Sequence, residues 1–480
     1  MPAMPDREDS RYRRPLFLLV AGTALFRWWL ANRLELTSDE CNGWLYARFP
    51  APGYFDHPPL WGYLIRLATW GASIPAELLV RLPAIVLSAA TTLLLYDLVR
   101  ALRGPAVAWY TVLLFNSSYL FTAIGIVILP DTPLYFFWLL TLSCLVKGLG
   151  PVVVTTRERR WVLFSGVALG LALLSKYHAS LIVPGVLGYL ATDPKRRAWL
   201  KRPEPWIALA IALVLFLPVI LWNYEHDWVS LRFQGGRMAS AGRSVDHRRL
   251  LVNVLAPILY LNPHVFWCVL GGLLLCLRGR IERARDFALL LWVALPLIGF
   301  FAITSITNPA SLPHWPGVGY FTLLPLGGTF LQARLARRAA APLVPRATLV
   351  SAAALGVALT AALLQLDHGV IDLDRSHRGD AAYREWGASD KTTEMIGWRE
   401  LAAGVQQLRD ADRAAGRPVP ELLLASRWYT AAHLDFYVGA RLGLDTVCMA
   451  DLDQERARVH ATPSRSSKAR AATTSRRAIS

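Results

Sequence analysis

Residues 15–75 read PLFLLVAGTALFRWWLANRLEL and then TSDECNGWLYARFPAPGYFDHPPLWGYLIRLATWGASIP, and the change of character at Thr37 decides the fold class. The first part is long enough to cross a hydrocarbon layer about 30 Å thick, which needs roughly 20 mostly apolar residues. Arg27 interrupts it and no small-residue cleavage site follows, so it reads as a retained span rather than a leader. The second part is far too long for a turn between spans. Its Trp44, Tyr46 and Phe49, then Leu60, Tyr63, Leu64 and Leu67, suggest short helices lying along the interface. Pro50, Pro52 and Gly53 break them in the middle.

Apolar windows of this kind recur at 78–99, 105–128, 131–146, 161–174, 178–191, 206–222, 250–277, 287–303, 315–330 and 347–366. With the first they make about eleven spans, those on either side of Lys176 being short. A chain of 480 residues with 54% hydrophobic and 18% charged residues agrees with an all-α, multi-pass membrane protein and disfavours a soluble one.

The net charge of +17 would suit nucleic acid, but its placement argues otherwise. Lys and Arg cluster at 11–14, 100–103, 147–160, 195–202, 278–285 and 334–346, on alternate sides of the spans and so in one compartment. The positive-inside bias makes that compartment the cytoplasm, with the N-terminus inside and, after eleven spans, the C-terminal segment outside. The expected location is a bacterial inner (plasma) membrane, with membrane lipids and no nucleic acid as partners. The five cysteines show no CxxC pair, and Cys41 with Cys448 is the sole pair that could face outward together.

This gives a membrane domain over 1–366, whose first outward loop is 37–75. A small α/β extracytoplasmic domain follows over 367–461, and then a Ser-, Arg- and Ala-rich disordered tail over 462–480.

Candidate chemistry falls on the outward side. Asp39 and Glu40 follow the first span, and adjacent carboxylates there suit a general base or a cation site, or are solvated loop acids. Asp56-His57 precede Pro58-Pro59, which stiffen the backbone and fix where both side chains point. The pair suits a divalent metal or a phosphate, or a plain turn. Asp131, in LPDTP, is either a helix cap or a third acid facing the same cavity. Lys176, between two short apolar segments, suits a lipid phosphate or snorkels to the interface. The outward loop after Trp222 breaks the charge bias with Arg232, Arg237, Arg243, Arg248 and Arg249, and guanidinium forks bind phosphate oxygens. His314, beside Trp315, is a further binding candidate or a structural histidine.

Asp39-Glu40 followed by Gly53-Tyr54-Phe55-Asp56-His57-Pro58-Pro59-Leu60 resembles the first outward loop of the protein O-mannosyltransferase and aminoarabinose transferase superfamily, membrane glycosyltransferases of the GT-C fold. The stretch 129–134 with Phe137-Trp138, Ser175-Lys176-Tyr177, Pro218 with Trp222-Asn223, and 226–230 are similar to bacterial members in order and spacing. Gly397-Trp398 and Phe436-Tyr437 resemble their C-terminal part.

The resemblance implies an undecaprenyl- or dolichyl-type phosphosugar donor, a lipid, glycan or protein acceptor, and inversion at the sugar carbon. It implies a catalytic aspartate at Asp39 and a second-loop aspartate at Asp131. His57 stands where aminoarabinose transferases carry a lysine, so this position is either a phosphate contact or a metal ligand. A divalent ion (Mg, Mn or Zn) held by Asp56, His57 and Asp131 is the cofactor expectation. A transporter or flippase of lipid-linked sugars would share the spans, acids and outward cations. The structured first loop and soluble C-terminal part favour the transferase.

Overall fold

The computed structural model describes residues 5–149, 155–239, 247–281, 284–307, 312–336, 342–371 and 394–449. The chain opens with α1 (Pro5–Arg33), then the first-loop helices α2 (Ser38–Arg48) and α3 (Leu60–Ala68). Next come α4 (Glu77–Arg103), α5 (Pro105–Ser117), α6 (Tyr119–Ile124), α7 (Asp131–Gly148) and α8 (Thr156–Ser175). A 3-10 turn (Tyr177–Leu181) leads to α9 (Ile182–Thr192), the single turn α10 (Pro194–Arg197), α11 (Pro203–Glu225) and α12 (Val229–Ala239). α13 (His247–Tyr260), α14 (Pro263–Leu277), α15 (Ala288–Thr307), α16 (Gly317–Leu335) and α17 (Arg346–His368) complete the bundle.

Every apolar window of the sequence coincides with a helix or a broken pair of helices, yet the count of about eleven spans is not reached. Among the described residues five helices are long and apolar enough to cross a membrane, and a sixth is added if α13 and α14, bent by 111°, count as one span. The rest fall short for local reasons. The window 105–128 is cut at Ser118, which leaves the helix as extended backbone, and α9 has 11 residues. α8 opens on charged Arg157-Glu158-Arg159-Arg160, and α16 is diluted by glycine.

Small residues let helix backbones meet closely, as van der Waals packing in a membrane requires. A Cβ on Gly166 of α8 would stand 2.2 Å from the Ala208 carbonyl of α11, and one on Gly272 of α14 2.1 Å from that of Leu326 in α16. The bend between α13 and α14 rests on Asn262, at a φ of 70°. Its amide donates to Ser117 O (2.5 Å) and Ser351 Oγ (2.6 Å), and its oxygen caps Val265 N–H (3.0 Å).

The C-terminal part is a small α/β unit. It contains α18 (Trp398–Ala414), then β1 (Leu422–Ala425) and β2 (Asp445–Cys448), paired in parallel with α19 (Trp428–Leu434) between them. It does not stand apart from the bundle. Leu36, Trp44, Trp61 and Ile65 from the first loop and Phe436, Tyr437 and Val438 from the C-terminal unit form one apolar core, distinct from the large core of the helix bundle. Glu35 accepts the N–H groups of Trp398 (2.8 Å) and Arg399 (2.9 Å), capping the free donors of α18 with a carboxylate. Cys41 and Cys448 are both free thiols, so no bridge joins the two parts.

Candidate active site

The adjacent carboxylates of α2 take opposite fates. Thr37 caps the helix, accepting from Glu40 N–H, while the Glu40 side chain returns to Thr37 N–H (3.0 Å) in a capping box. This turns Glu40 inward, to Arg81 of α4. Arg81 Nε and Nη2 donate to the two Glu40 oxygens at 2.7 Å each, and both side chains are 0% exposed. The same guanidinium satisfies the otherwise orphaned carbonyls after α1, those of Ala31 (2.9 Å), Leu34 (2.6 Å) and Glu35 (2.7 Å). Ile128 N–H also reaches Glu40 (3.3 Å). The expectation of Glu40 as a second catalytic carboxylate is therefore corrected: it is sealed inside, pinning α1, α2, α4 and the turn before α7.

Asp39, one residue earlier, faces the other way and is open to solvent. Among the described residues its carboxylate accepts no hydrogen bond and joins no ion pair. Protein packed around it, and then the nearby charges of Asp56 and Glu394, push its pKa up to about 6, with Lys176 opposing.

Asp56 is held on the rim by the Tyr46 hydroxyl, which donates to its carboxylate, and by Gln234 of α12, which donates to its carbonyl at 2.5 Å. Tyr46 stacks on Tyr54 with ring centres 3.5 Å apart, and the Tyr54 hydroxyl accepts from Ala51 N–H (2.8 Å), bracing the loop. Ser230 of α12 donates to Tyr54 O (2.5 Å), so the loop after Trp222 closes over the first loop. His57 lies edge-on to Trp61 with centroids 6.4 Å apart.

Lys176 stands where α8 stops. Its backbone is extended (φ −158°, ψ 140°), which ends the helix before the 3-10 turn and directs the side chain across to α7. There its ammonium donates to Asp131 at 2.6 Å. The Lys176 and Asp131 side chains are only 8% and 15% exposed, yet Lys176 remains within electrostatic range of Asp39. His178 and His314 lie within the same range of Asp131.

Asp39 thus lies within electrostatic range of Asp56 and Lys176, Asp131 within range of Lys176 and His314, and His57 within range of His178 beside them. The structure does not assemble Asp56, His57 and Asp131 as a metal centre: Asp56 is bonded to Tyr46, Asp131 to Lys176, and among the described residues no three His, Cys, Asp or Glu side chains gather to hold an ion. Arg237 belongs to α12, but its side chain, with Arg243 and the tail 462–480, lies outside the described residues.

Sequence reasoning missed Glu394, Tyr46, His178 and Arg81. Tyr46 was detectable, being seven residues after Asp39 on one helix face. Arg81 was detectable as a cation inside an apolar window. Nothing local marks Glu394, whose partner Ser38 (3.0 Å) lies 356 residues away in the chain.

The scaffold has known counterparts. Residues 56–222 match the family model of dolichyl-phosphate-mannose-protein mannosyltransferases. The chain is 16% identical to ArnT from Cupriavidus metallidurans, solved bound to undecaprenyl phosphate, and superposes with a TM-score of 0.55 over 89% of this chain and 75% of that one. The likeness to that structure shows that this chain has the GT-C fold. The lipid A galacturonosyltransferase RgtD of Rhizobium johnstonii is 25% identical over 305 residues, 63% of this GT-C chain and 62% of that protein. The undecaprenyl phosphate-alpha-4-amino-4-deoxy-L-arabinose arabinosyl transferase of Edwardsiella ictaluri is 26% identical over 271 residues, 54% of this chain and 47% of that one. The match thus spans less than two thirds of either curated relative.

Proposed function

We propose that this protein moves a sugar from a polyprenyl-phosphate donor to a lipid, glycan or protein acceptor on the extracytoplasmic side of a bacterial inner membrane, with inversion at the anomeric carbon. The observation that carries this reading is the recess itself: an unpaired carboxylate, Asp39, faces a buried lysine whose charge is balanced by one hydrogen bond. The names of the relatives, and the undecaprenyl phosphate in one solved structure, support the donor class.

The acceptor oxygen attacks the anomeric carbon from the face opposite the phosphate. Its proton passes to Asp39, whose pKa near 6 leaves it ionised at neutral pH and still able to take a proton. The bond from the anomeric carbon to the phosphate oxygen breaks, and the phosphate departs with the electron pair. An ammonium has three N–H donors and Asp131 takes one, so Lys176 keeps others for the leaving phosphate. Asp131 holds Lys176 in place. His57, His314 and Arg237 are the remaining candidate phosphate contacts. Where the acceptor is itself a phosphate, it is already ionised and Asp39 orients it. Glu40 has no chemical step and keeps α2 in position.

The test uses the purified chain in proteoliposomes with a panel of radiolabelled polyprenyl-phosphate sugars and envelope lipid acceptors. Label leaving the carrier for an acceptor is the expected result. Label that changes leaflet while staying on the carrier would establish a flippase instead.

A further inference from the structure

At the end of the bundle away from Lys176, α7, α8, α9 and α11 enclose a hollow of about 620 Å³, open space at its mouth included. That lies within the roughly 300–1,000 Å³ of ligand sites. Leu145 and Leu149 of α7, Val162 and Leu169 of α8, Leu190 of α9 and Leu200 form most of the wall. Leu187 and Trp206, also in the wall, are 40% and 49% exposed, so the hollow opens sideways toward the surrounding lipid. The polar side chains of the wall are already satisfied. Ser165 donates to Val162 O (2.6 Å), Thr141 to Phe137 O (2.8 Å) and Trp206 Nε1 to Leu200 O (3.0 Å). A buried water needs two to four polar partners and finds none spare here, whereas a hydrocarbon chain asks for none.

The same end is cationic. Residues 193–204 carry Lys195, Arg196, Arg197, Lys201 and Arg202 against Asp193 and Glu204. Lys201 and Arg202 lie between Leu200 and Pro205, both in the wall, and the Trp206 bond to Leu200 O pins this short stretch beside the mouth. Some of these charges are engaged. Arg196 sits over the Tyr189 ring (4.3 Å) and Arg202 over Trp199 (5.3 Å), while Arg197 Nε donates to Ala191 O (2.6 Å). Lys195 and Lys201 are exposed, and among the described residues neither pairs with a carboxylate. An apolar slot open to lipid beneath spare ammonium groups fits an anionic phospholipid better than a zwitterionic one. The positive-inside bias puts this end in the cytoplasmic leaflet.

We propose that this hollow holds one acyl chain of an anionic phospholipid of the cytoplasmic leaflet, with the lipid phosphate on Lys195 and Lys201. The site is separate from the recess of Asp39 and Lys176. Lys176 comes ten residues after Gly166, which lines the hollow, and so stands roughly 15 Å further along α8. A donor whose phosphate lies at Lys176 cannot also place it at Lys201. The bound chain fills the space between α9 and the α8–α11 pair, and so braces the helix that ends at Lys176.

The experiment places the full chain in phosphatidylcholine nanodiscs with a trace of a photoactivatable lipid, and maps the crosslinked residues by mass spectrometry. Two probes are compared, phosphatidylglycerol and phosphatidylcholine, each with the same diazirine-bearing acyl chain. Two lysines near an anionic headgroup change affinity by about 25-fold, so phosphatidylglycerol should label Leu169, Val183 and Leu187 more than phosphatidylcholine does by about that factor. The exposed Val350 and Val357 of α17 serve as the control and should show no such preference. Joint Lys195→Gln and Lys201→Gln should bring the ratio in the hollow down to that of α17. Leu187→Trp, which fills the mouth, should lose the label in the hollow. The wild-type ratio needs no variant. Equal labelling of the hollow by both probes, or none by either, would overturn the proposal. So would a preference that survives in the double lysine variant. Displacement of the label by undecaprenyl phosphate, equal in wild type and double variant, would assign the hollow to the tail of a polyprenyl lipid instead.

Discussion

Two cation–carboxylate pairs flank the recess, and they are built to opposite ends. Arg81–Glu40 is fully sealed, each carboxylate oxygen meets a guanidinium nitrogen, and three backbone carbonyls use the remaining donors. Lys176–Asp131 makes one hydrogen bond, keeps a little exposure on both members, and faces Asp39. A planar fork with every donor used fixes geometry, while a lysine with donors to spare can share them with a phosphate. The difference separates architecture from chemistry better than residue type does, since both pairs would read alike in a list of buried charges.

The largest expected effect falls on the sealed pair. Glu40→Gln leaves Arg81 buried and unpaired, which typically costs about 3–5 kcal/mol. The variant should melt far below the wild type, and joint replacement of Arg81 and Glu40 by apolar residues should recover part of the loss. If Glu40→Gln melted normally and lost only activity, the structural assignment of this pair would be wrong.

Lys176→Met should do the reverse. Loss of a donor aimed at developing charge costs about 10²–10³ in rate. Stability should move less than for Glu40→Gln, because Asp131 keeps some access to water. Single-turnover rates beside melting curves check this, and a variant that is unstable yet fully active would erase the contrast between the two pairs.

A smaller effect is expected where the C-terminal unit docks. Glu35→Gln weakens the cap on Trp398 and Arg399, and hydrogen bonds to charged groups contribute about 1.5–3 kcal/mol. Limited proteolysis should then release the C-terminal unit sooner, with the recess still active. Unchanged protease resistance would show that the shared apolar core alone holds it.

How much of this was legible beforehand follows the range of the interactions. Apolar windows and loop lengths depend on residues close together in sequence, so the helical class and the broken first loop could be read. The span count could not, because bends such as that at Asn262 rest on contacts to Ser117 and Ser351 far away in the chain. The divergence of Asp39 from Glu40 was hidden for the same reason: it is set by Arg81, 41 residues further on. The capping box was local and legible in Thr37 and Glu40, but the sealing of Glu40 against Arg81 was not. The metal expectation on Asp56, His57 and Asp131 rested on residue types, and their actual partners, Tyr46 and Lys176, are supplied by the fold.

The most direct test of Asp39 as the proton acceptor is the pH dependence of sugar transfer to a hydroxyl acceptor by wild type and Asp39→Asn. The base must be ionised, so wild-type transfer should fall as pH drops through about 6, and Asp39→Asn should be slower by about 10²–10⁴ and lack that midpoint. Stability has the opposite sign. The folded carboxyl holds its proton more tightly than the unfolded one, so stability is lost as pH rises from about 4 to about 6, and Asp39→Asn should be no less stable at neutral pH. A stable Asp39→Asn protein that transferred sugar at the wild-type rate with the same midpoint would contradict the assignment.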